Sequence, residues 1–289
     1  MTETAEKLRA RGSGPAAAEG EQGPRRTGGW RQLLVFRGRP SSSVQLYVAA
    51  ATFVLILLTW FAVTEAGLVA PQFLPSPLDV LRALRQLFLE AGFTWDILIS
   101  IYRVWMAFAI AALMAIPLGI LMSSFRVVGA VTEPVVDFIR YLPVPALVPL
   151  TIIWFGIGEL SKIVLLWMGT FFQLVLLIAD DASRVPREYV ETGRTLGAHS
   201  PQIMRDILVP AMLPSMVDNL RITLGWCWTY LVIAEIVAAN SGIGYVIWAA
   251  RRYVQTDKVF AGILAIGVIG LATDQAIRAA HRRLFPYLR

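Results

Sequence analysis

From residue 44 onward the chain alternates long apolar runs with short charged segments. No charge occurs between Arg39 and Glu65, and Leu46 to Thr64 is almost wholly apolar, which meets the roughly 20 residues a helix needs to cross the hydrocarbon of a bilayer. Further runs cover Val104 to Met122, Val135 to Phe155, Ile163 to Ala179, Val217 to Ala238 and Val259 to Ala276. The pattern predicts an all-α integral membrane protein with about six transmembrane helices. The third run carries Pro143, Pro145 and Pro149, so it is expected to be broken or kinked, with its freed backbone groups satisfied by neighbouring helices or by a lined cavity.

Between the first two runs, Pro71, Pro75 and Pro77 interrupt any helix. A short amphipathic piece follows, Leu78 to Leu89, with Arg82 and Arg85 set against Leu81, Leu84 and Phe88. It is expected to lie along the outer membrane surface. Residues 1 to about 43 are rich in Gly, Ala, Arg, Glu and Ser without apolar periodicity, which predicts a disordered tail rather than a cleavable leader. The expected organisation is therefore a tail (1–43), a first span with an external amphipathic segment (44–93), a membrane core (94–278) and a short C-terminal end (279–289).

The polar stretch from Asp180 to Asp218 breaks this pattern. Pro186 suits a first helical turn, Glu188 and Glu191 favour the positive end of that helix, and Gly197 can take the left-handed conformation that ends it. Ser200 and Pro201 then predict an N-cap and the start of a second short helix to about Leu208, with Ile203, Met204, Ile207 and Leu208 on one face. Two capped helices meeting at a glycine form a knob, more than a bare connection requires.

Composition agrees with the pattern: 56% of residues are hydrophobic and 16% charged, far from soluble norms. The net charge of +6 does not indicate nucleic acid, because eight basic residues fall within the first 40 and others at the end, as expected of flanks facing an anionic inner leaflet. Six alternating spans place the tail, the 180–218 loop and the C-terminus on one side, which holds most of the arginines; both termini are expected in the cytoplasm, with Arg251, Arg252 and Lys258 a local exception. Cys227, the single cysteine, lies in an apolar run and is expected to be inert. The two histidines, His199 and His281, lie outside the spans and form no metal motif, which argues against a membrane enzyme.

Charges within the spans are candidates for function. Glu235 sits in an apolar run and must face a partner, water or the dimer interface; a pathway or gating role, a structural hydrogen bond and a position near the outer headgroups are the alternatives. Arg103 is expected to snorkel from the edge of its span. Asp137 and Arg140 are expected to pair on one helix face. Trp226, Trp228 and Tyr230 are expected as packing or belt aromatics.

Glu191-Thr192-Gly193, Gly197, Ile207, Val209 and Pro210 read E-x-G-x3-G-x9-I-x-V-P. This resembles the cytoplasmic loop of permease subunits of binding-protein-dependent ABC importers, usually E-A-A-x3-G-x9-I-x-L-P. Thr192, Gly193 and Val209 depart from it, and Gly193 is expected to weaken its helix by about 1 kcal/mol relative to Ala. Phe73-Leu74-Pro75-Ser76-Pro77, Trp154-Phe155-Gly156-Ile157-Gly158 and Ser241-Gly242-Ile243-Gly244-Tyr245 resemble segments of the nitrate, sulfonate, taurine and bicarbonate branch. The likeness extends from about Leu74 to the C-terminus.

That resemblance implies the type I ABC importer permease fold in a bacterial inner membrane, a second permease copy, a cytoplasmic ABC ATPase dimer and an extracytoplasmic solute-binding protein. The knob would be a helix-turn-helix coupling loop: Glu191 a charged contact to the ATPase, Glu188 and Gly193 within the first helix, Gly197 setting the angle, Ile207 and Pro210 anchoring it to the bundle. No cofactor is expected on this chain. It lacks a G-x4-G-K-[ST] phosphate loop, so ATP and Mg would sit on the partner. A secondary transporter or channel working alone is the alternative.

Overall fold

The computed structural model describes residues 42–288, and the expected tail lies almost wholly outside them. The described elements are helical throughout: α1 (Ser42–Glu65), α2 (Pro77–Glu90), α3 (Phe93–Ser124), α4 (Arg126–Arg140), α5 (Val144–Phe155), α6 (Glu159–Ser183), α7 (Arg187–Thr195), α8 (Ser200–Ile203), a π turn (Met204–Leu208), α9 (Val209–Ala238), α10 (Ile243–Arg252), α11 (Thr256–Leu284) and a final 3₁₀ turn (Pro286–Leu288). The chain divides into two compact units after Leu58. In the first, α1 exposes apolar side chains all round, Leu46, Phe53, Leu55 and Leu58 among them, the mark of a helix solvated by lipid or by partner helices.

The second unit is built on α3 and α6, its most extensive pairing, with α9 laid against α6. Close approach is possible because α3 presents small residues every fourth position, Ala107, Ala111, Ala115 and Gly119, to its neighbours. A methyl added at Gly119 would lie 2.7 Å from the Val175 carbonyl oxygen and 2.8 Å from the Ile178 Cβ. Val104, Phe108, Val148, Leu166, Leu224 and Leu231 fill the core at one end of the bundle. Leu174, Ile178, Met212 and Met216 fill the other.

Among the described residues, five helical stretches are long and apolar enough to cross a membrane, and α4 with α5 adds a sixth if the pair, bent by 101°, is taken as one span. The expected break thus falls at Tyr141–Pro143. Pro143 disfavours a helical conformation at Leu142 and offers no N–H of its own, whereas Pro145 falls in the first turn of α5, where no N–H is needed.

Two expectations change. Helix α2 packs through Val80, Ala83 and Leu87 against Phe93, Ile243, Ile247 and Ala261, while Leu81 and Phe88 stay exposed. The stripe had been drawn opposite the arginines, one position away from the face that the smaller Ala83 lets pack closely. The second loop helix does not end at Leu208 either: Ser200 to Val237 forms one continuous span-length helix. Pro210 cannot donate to the preceding turn, and the π turn just before it takes up the mismatch, with the Val209 N–H reaching back to Met204.

Candidate functional site

Two constellations occupy opposite ends of the bundle. At the end where α3 and α6 finish and α9 begins, α7 and α8 form the knob. Helix α7 closes in a Schellman motif: the Ala198 N–H donates to the Gly193 carbonyl (2.9 Å) and the Gly197 N–H to that of Arg194 (2.9 Å). Gly197 has φ +85°, the left-handed conformation the sequence required of it. Its role in setting the turn follows from that geometry. The cap of α8 falls on His199 rather than Ser200, and the His199 N–H is satisfied by the Gln202 side chain at 2.9 Å.

The remaining knob residues divide between the inside and the outside. Gly193 is buried, and a methyl placed there would meet the Ile207 Cδ1 at 2.5 Å, so the glycine provides the seat on which Ile207 rests. Ile203 and Leu208 are buried beneath, with Met204 and Ile207 partly so. Glu188, Glu191 and Pro210 are exposed. Pro210 therefore makes no buried anchor within this chain; it shapes the backbone through the π turn. Glu191 also lines a cleft of about 600 Å³ between the knob and the ends of α3 and α6, together with Arg194, Phe125 and Val185. The sequence reading missed two exposed apolar side chains on this polar knob, Leu196 (83% exposed) and Tyr189 (55%).

At the opposite end, Glu235 and Arg103 are both fully buried (0% exposed). Arg103 does not snorkel. Its Nη1 donates to the Glu235 Oε1 (2.6 Å) and to the Ser241 carbonyl (2.8 Å), while Nε and Nη2 grip both oxygens of Glu159 at 2.7 Å. Lys162 adds a 2.8 Å bond to Glu159. Glu235 also accepts from the Ser100 hydroxyl and the Gly244 N–H, each at 2.7 Å. Asp96 accepts from the Gly242 N–H at 2.7 Å, and Ser100 from the Ile243 N–H at 3.0 Å. Arginine is suited to this place because its planar fork can bind one carboxylate at two points and still reach a second. The cluster ties α3, α6 and α9 to the turn that starts α10. Gly242 (φ +109°) leaves no room for a side chain, since a methyl there would collide with Glu235 and Arg103.

A legible signal existed: Asp96, Ser100 and Arg103 recur at helical spacing and share one face of α3.

The family model for the binding-protein-dependent transport system inner membrane component matches residues 115–286, which include the bent pair, the knob and Glu235. The chain belongs to this family. The permease is 33% identical over 250 residues to the taurine transport system permease protein TauC of Escherichia coli, covering 85% of this chain and 91% of that one. It is 33% identical to the putative aliphatic sulfonates transport permease protein SsuC of Bacillus subtilis (80% and 84% covered), and 28% identical to the bicarbonate transport system permease protein CmpB of Synechococcus elongatus (67% and 70%). Its fold resembles that of a chain of the inward-facing MetNI methionine ABC transporter, with a TM-score of 0.53 at 20% identity, covering 65% of this chain and 97% of that one. The permease is thus a multi-pass inner-membrane subunit of an ABC importer.

The seat at Gly193 carries an expected outcome. Gly193→Ala should be close to neutral in the permease, because Ile207 contributes only its flexible tip to the clash and the better helix former offsets about 1 kcal/mol. Gly193→Leu should lift α7 off the π turn. Limited proteolysis in the 186–200 segment of purified protein distinguishes the two, with rapid cleavage for Leu alone.

Proposed function

We propose that two copies of the permease form the membrane pathway, that the knob of each docks in a cytoplasmic ABC ATPase carrying ATP and Mg, and that an extracytoplasmic binding protein delivers the solute. The observation that carries this reading is the exposed pair Leu196 and Tyr189, flanked by Glu188 and Glu191, on a turn closed by its own hydrogen bonds. An apolar anchor with an acidic rim on a rigid element has the chemistry of a protein interface. The arginine excess on the side of the tail, knob and C-terminus supports a cytoplasmic position for that end. The relatives named for taurine, sulfonates and bicarbonate support a small solute bearing an oxyanion. Glu235 is assigned to holding the opposite end together rather than to the pathway, since every contact described above encloses it.

A photo-cross-linking residue tests the docking. Placed at Leu196 in the assembled complex, it is expected to capture the ATPase subunit. Placed at Phe73, exposed and before α2, it should not. Capture from both positions, or from neither, contradicts the assignment.

A further inference from the structure

Where α4 breaks from α5, a cavity of about 500 Å³ opens against the middle of α6 and the second half of α9. Its lining differs from the apolar bundle around it: Arg140, Gln173, Thr229 and Tyr230 bring polar groups, and Tyr141 and Trp226 bring ring surface. Arg140 is the one charged residue in that lining. Its partner Asp137 lies outside the lining and engages Nε at 2.8 Å; Nη2 donates to the Tyr141 hydroxyl at 3.0 Å, and the guanidinium lies 4.4 Å from the Tyr141 ring centre. Those contacts hold the guanidinium in place and leave Nη1 without a partner among the described residues. The Gln173 amide and the Tyr230 hydroxyl likewise have no hydrogen bond among the described residues, although both sit within a membrane span. Polar groups at such depth are expensive unless they serve water or a passing solute.

The position of Tyr230 is itself fixed. A methyl at Gly169 would meet the Tyr230 ring at 2.6 Å, so α6 carries a glycine where α9 brings this ring to the cavity wall. Pro143 and Val144, the opening turn of α5, complete the wall beside Arg140, and the positive end of a helix adds to the same field.

We infer that this cavity is a transit site for small anions, in which Arg140 supplies the charge and Gln173 and Tyr230 supply hydrogen bonds, the Thr229 hydroxyl donating instead to the Trp226 carbonyl at 2.7 Å. The inference rests on the reading of the chain as a solute pathway. It adds that the permease, beyond any external binding protein, selects for negative charge. One bidentate-capable guanidinium with an adaptable amide and a phenolic hydroxyl suits a sulfonate or carboxylate-sized oxyanion.

The single native cysteine, Cys227, is buried, so Gln173→Cys introduces the accessible thiol and the parent protein provides the background. The purified complex is treated with 2-sulfonatoethyl methanethiosulfonate and with its trimethylammonioethyl counterpart, each rate being divided by that of the same reagent with free cysteine. The thiolate attacks the sulfenyl sulfur, forming a mixed disulfide and releasing methanesulfinate. The anionic reagent is expected to be favoured, with the preference falling about tenfold in Arg140→Gln and kept in Arg140→Lys, as befits one charge a few ångströms away. A second measurement leaves Arg140 untouched: ethanesulfonate should slow labelling by a neutral maleimide, and dimethyl sulfone should not. Inertness of Gln173→Cys to both charged reagents, an unchanged preference in Arg140→Gln, or equal protection by both solutes overturns the site. These measurements need no ATP hydrolysis, so they stand or fall separately from the coupling to an ATPase.

Discussion

Arg103→Met should unfold the permease at a markedly lower temperature than any surface substitution. The side chain is fully buried and serves Glu235, Glu159 and the Ser241 carbonyl together. Its removal strands Glu235, which has no access to water, whereas Glu159 keeps Lys162 at 2.8 Å. Breaking a buried ion pair by deleting one partner costs about 3–5 kcal/mol, a large share of the roughly 5–15 kcal/mol that holds a folded domain together. For a chain of this size the melting midpoint in detergent is expected to fall by about 5–10 °C. Because the loss comes from an orphaned charge, Arg103→Met with Glu235→Gln should be less damaging than Arg103→Met alone, a non-additivity that marks direct coupling. A midpoint within a degree or two of the parent would show that the cluster is not what holds α3, α6, α9 and α10 together.

The second large effect is expected at the other end. Leu196 is 83% exposed, so Leu196→Asp should leave insertion and melting temperature unchanged. In an interface, a carboxylate replacing a central apolar anchor costs about 2 kcal/mol or more, which weakens ATPase association about thirtyfold, and here it adds a third acid beside Glu188 and Glu191. ATP hydrolysis stimulated by the loaded binding protein should collapse accordingly, while Leu196→Met should keep it. Equal stimulation in Leu196→Asp would place the ATPase contact elsewhere.

How far the sequence revealed these sites depended on the range over which each residue acts. The knob was legible because its determinants are local: a helix opener at Pro186, acids in the following turn, a left-handed stop at Gly197 and an apolar stripe from Ile203 to Leu208. The break at Pro143 was legible for the same reason, since proline acts on its immediate neighbours. The seat that Gly193 provides was not legible, because propensity describes a helix in isolation and Ile207 comes from beyond the turn. Arg103 was misread as snorkelling because proximity to a span edge is visible along the chain, whereas its partners Glu159, Glu235 and Ser241 are remote in sequence and meet only after α6 and α9 have packed. A lined cavity at the Pro143 break was one of the two outcomes its prolines allowed, but the wall that Gln173 and Tyr230 contribute forms only once α6 and α9 have packed. Tyr230 is the packing aromatic expected of it, set against the core and Gly169, but its place in the cavity wall was visible only with α6 beside it.

The central claim is that this helical bundle carries solute only when driven through its knob. Uptake of labelled taurine, ethanesulfonate and bicarbonate into liposomes holding the permease, its ATPase and its binding protein tests it most directly. Accumulation of one of these solutes that requires ATP inside the cytoplasmic-facing compartment and is lost in Leu196→Asp is the expected result. Accumulation by the permease alone, without ATPase or nucleotide, would contradict it.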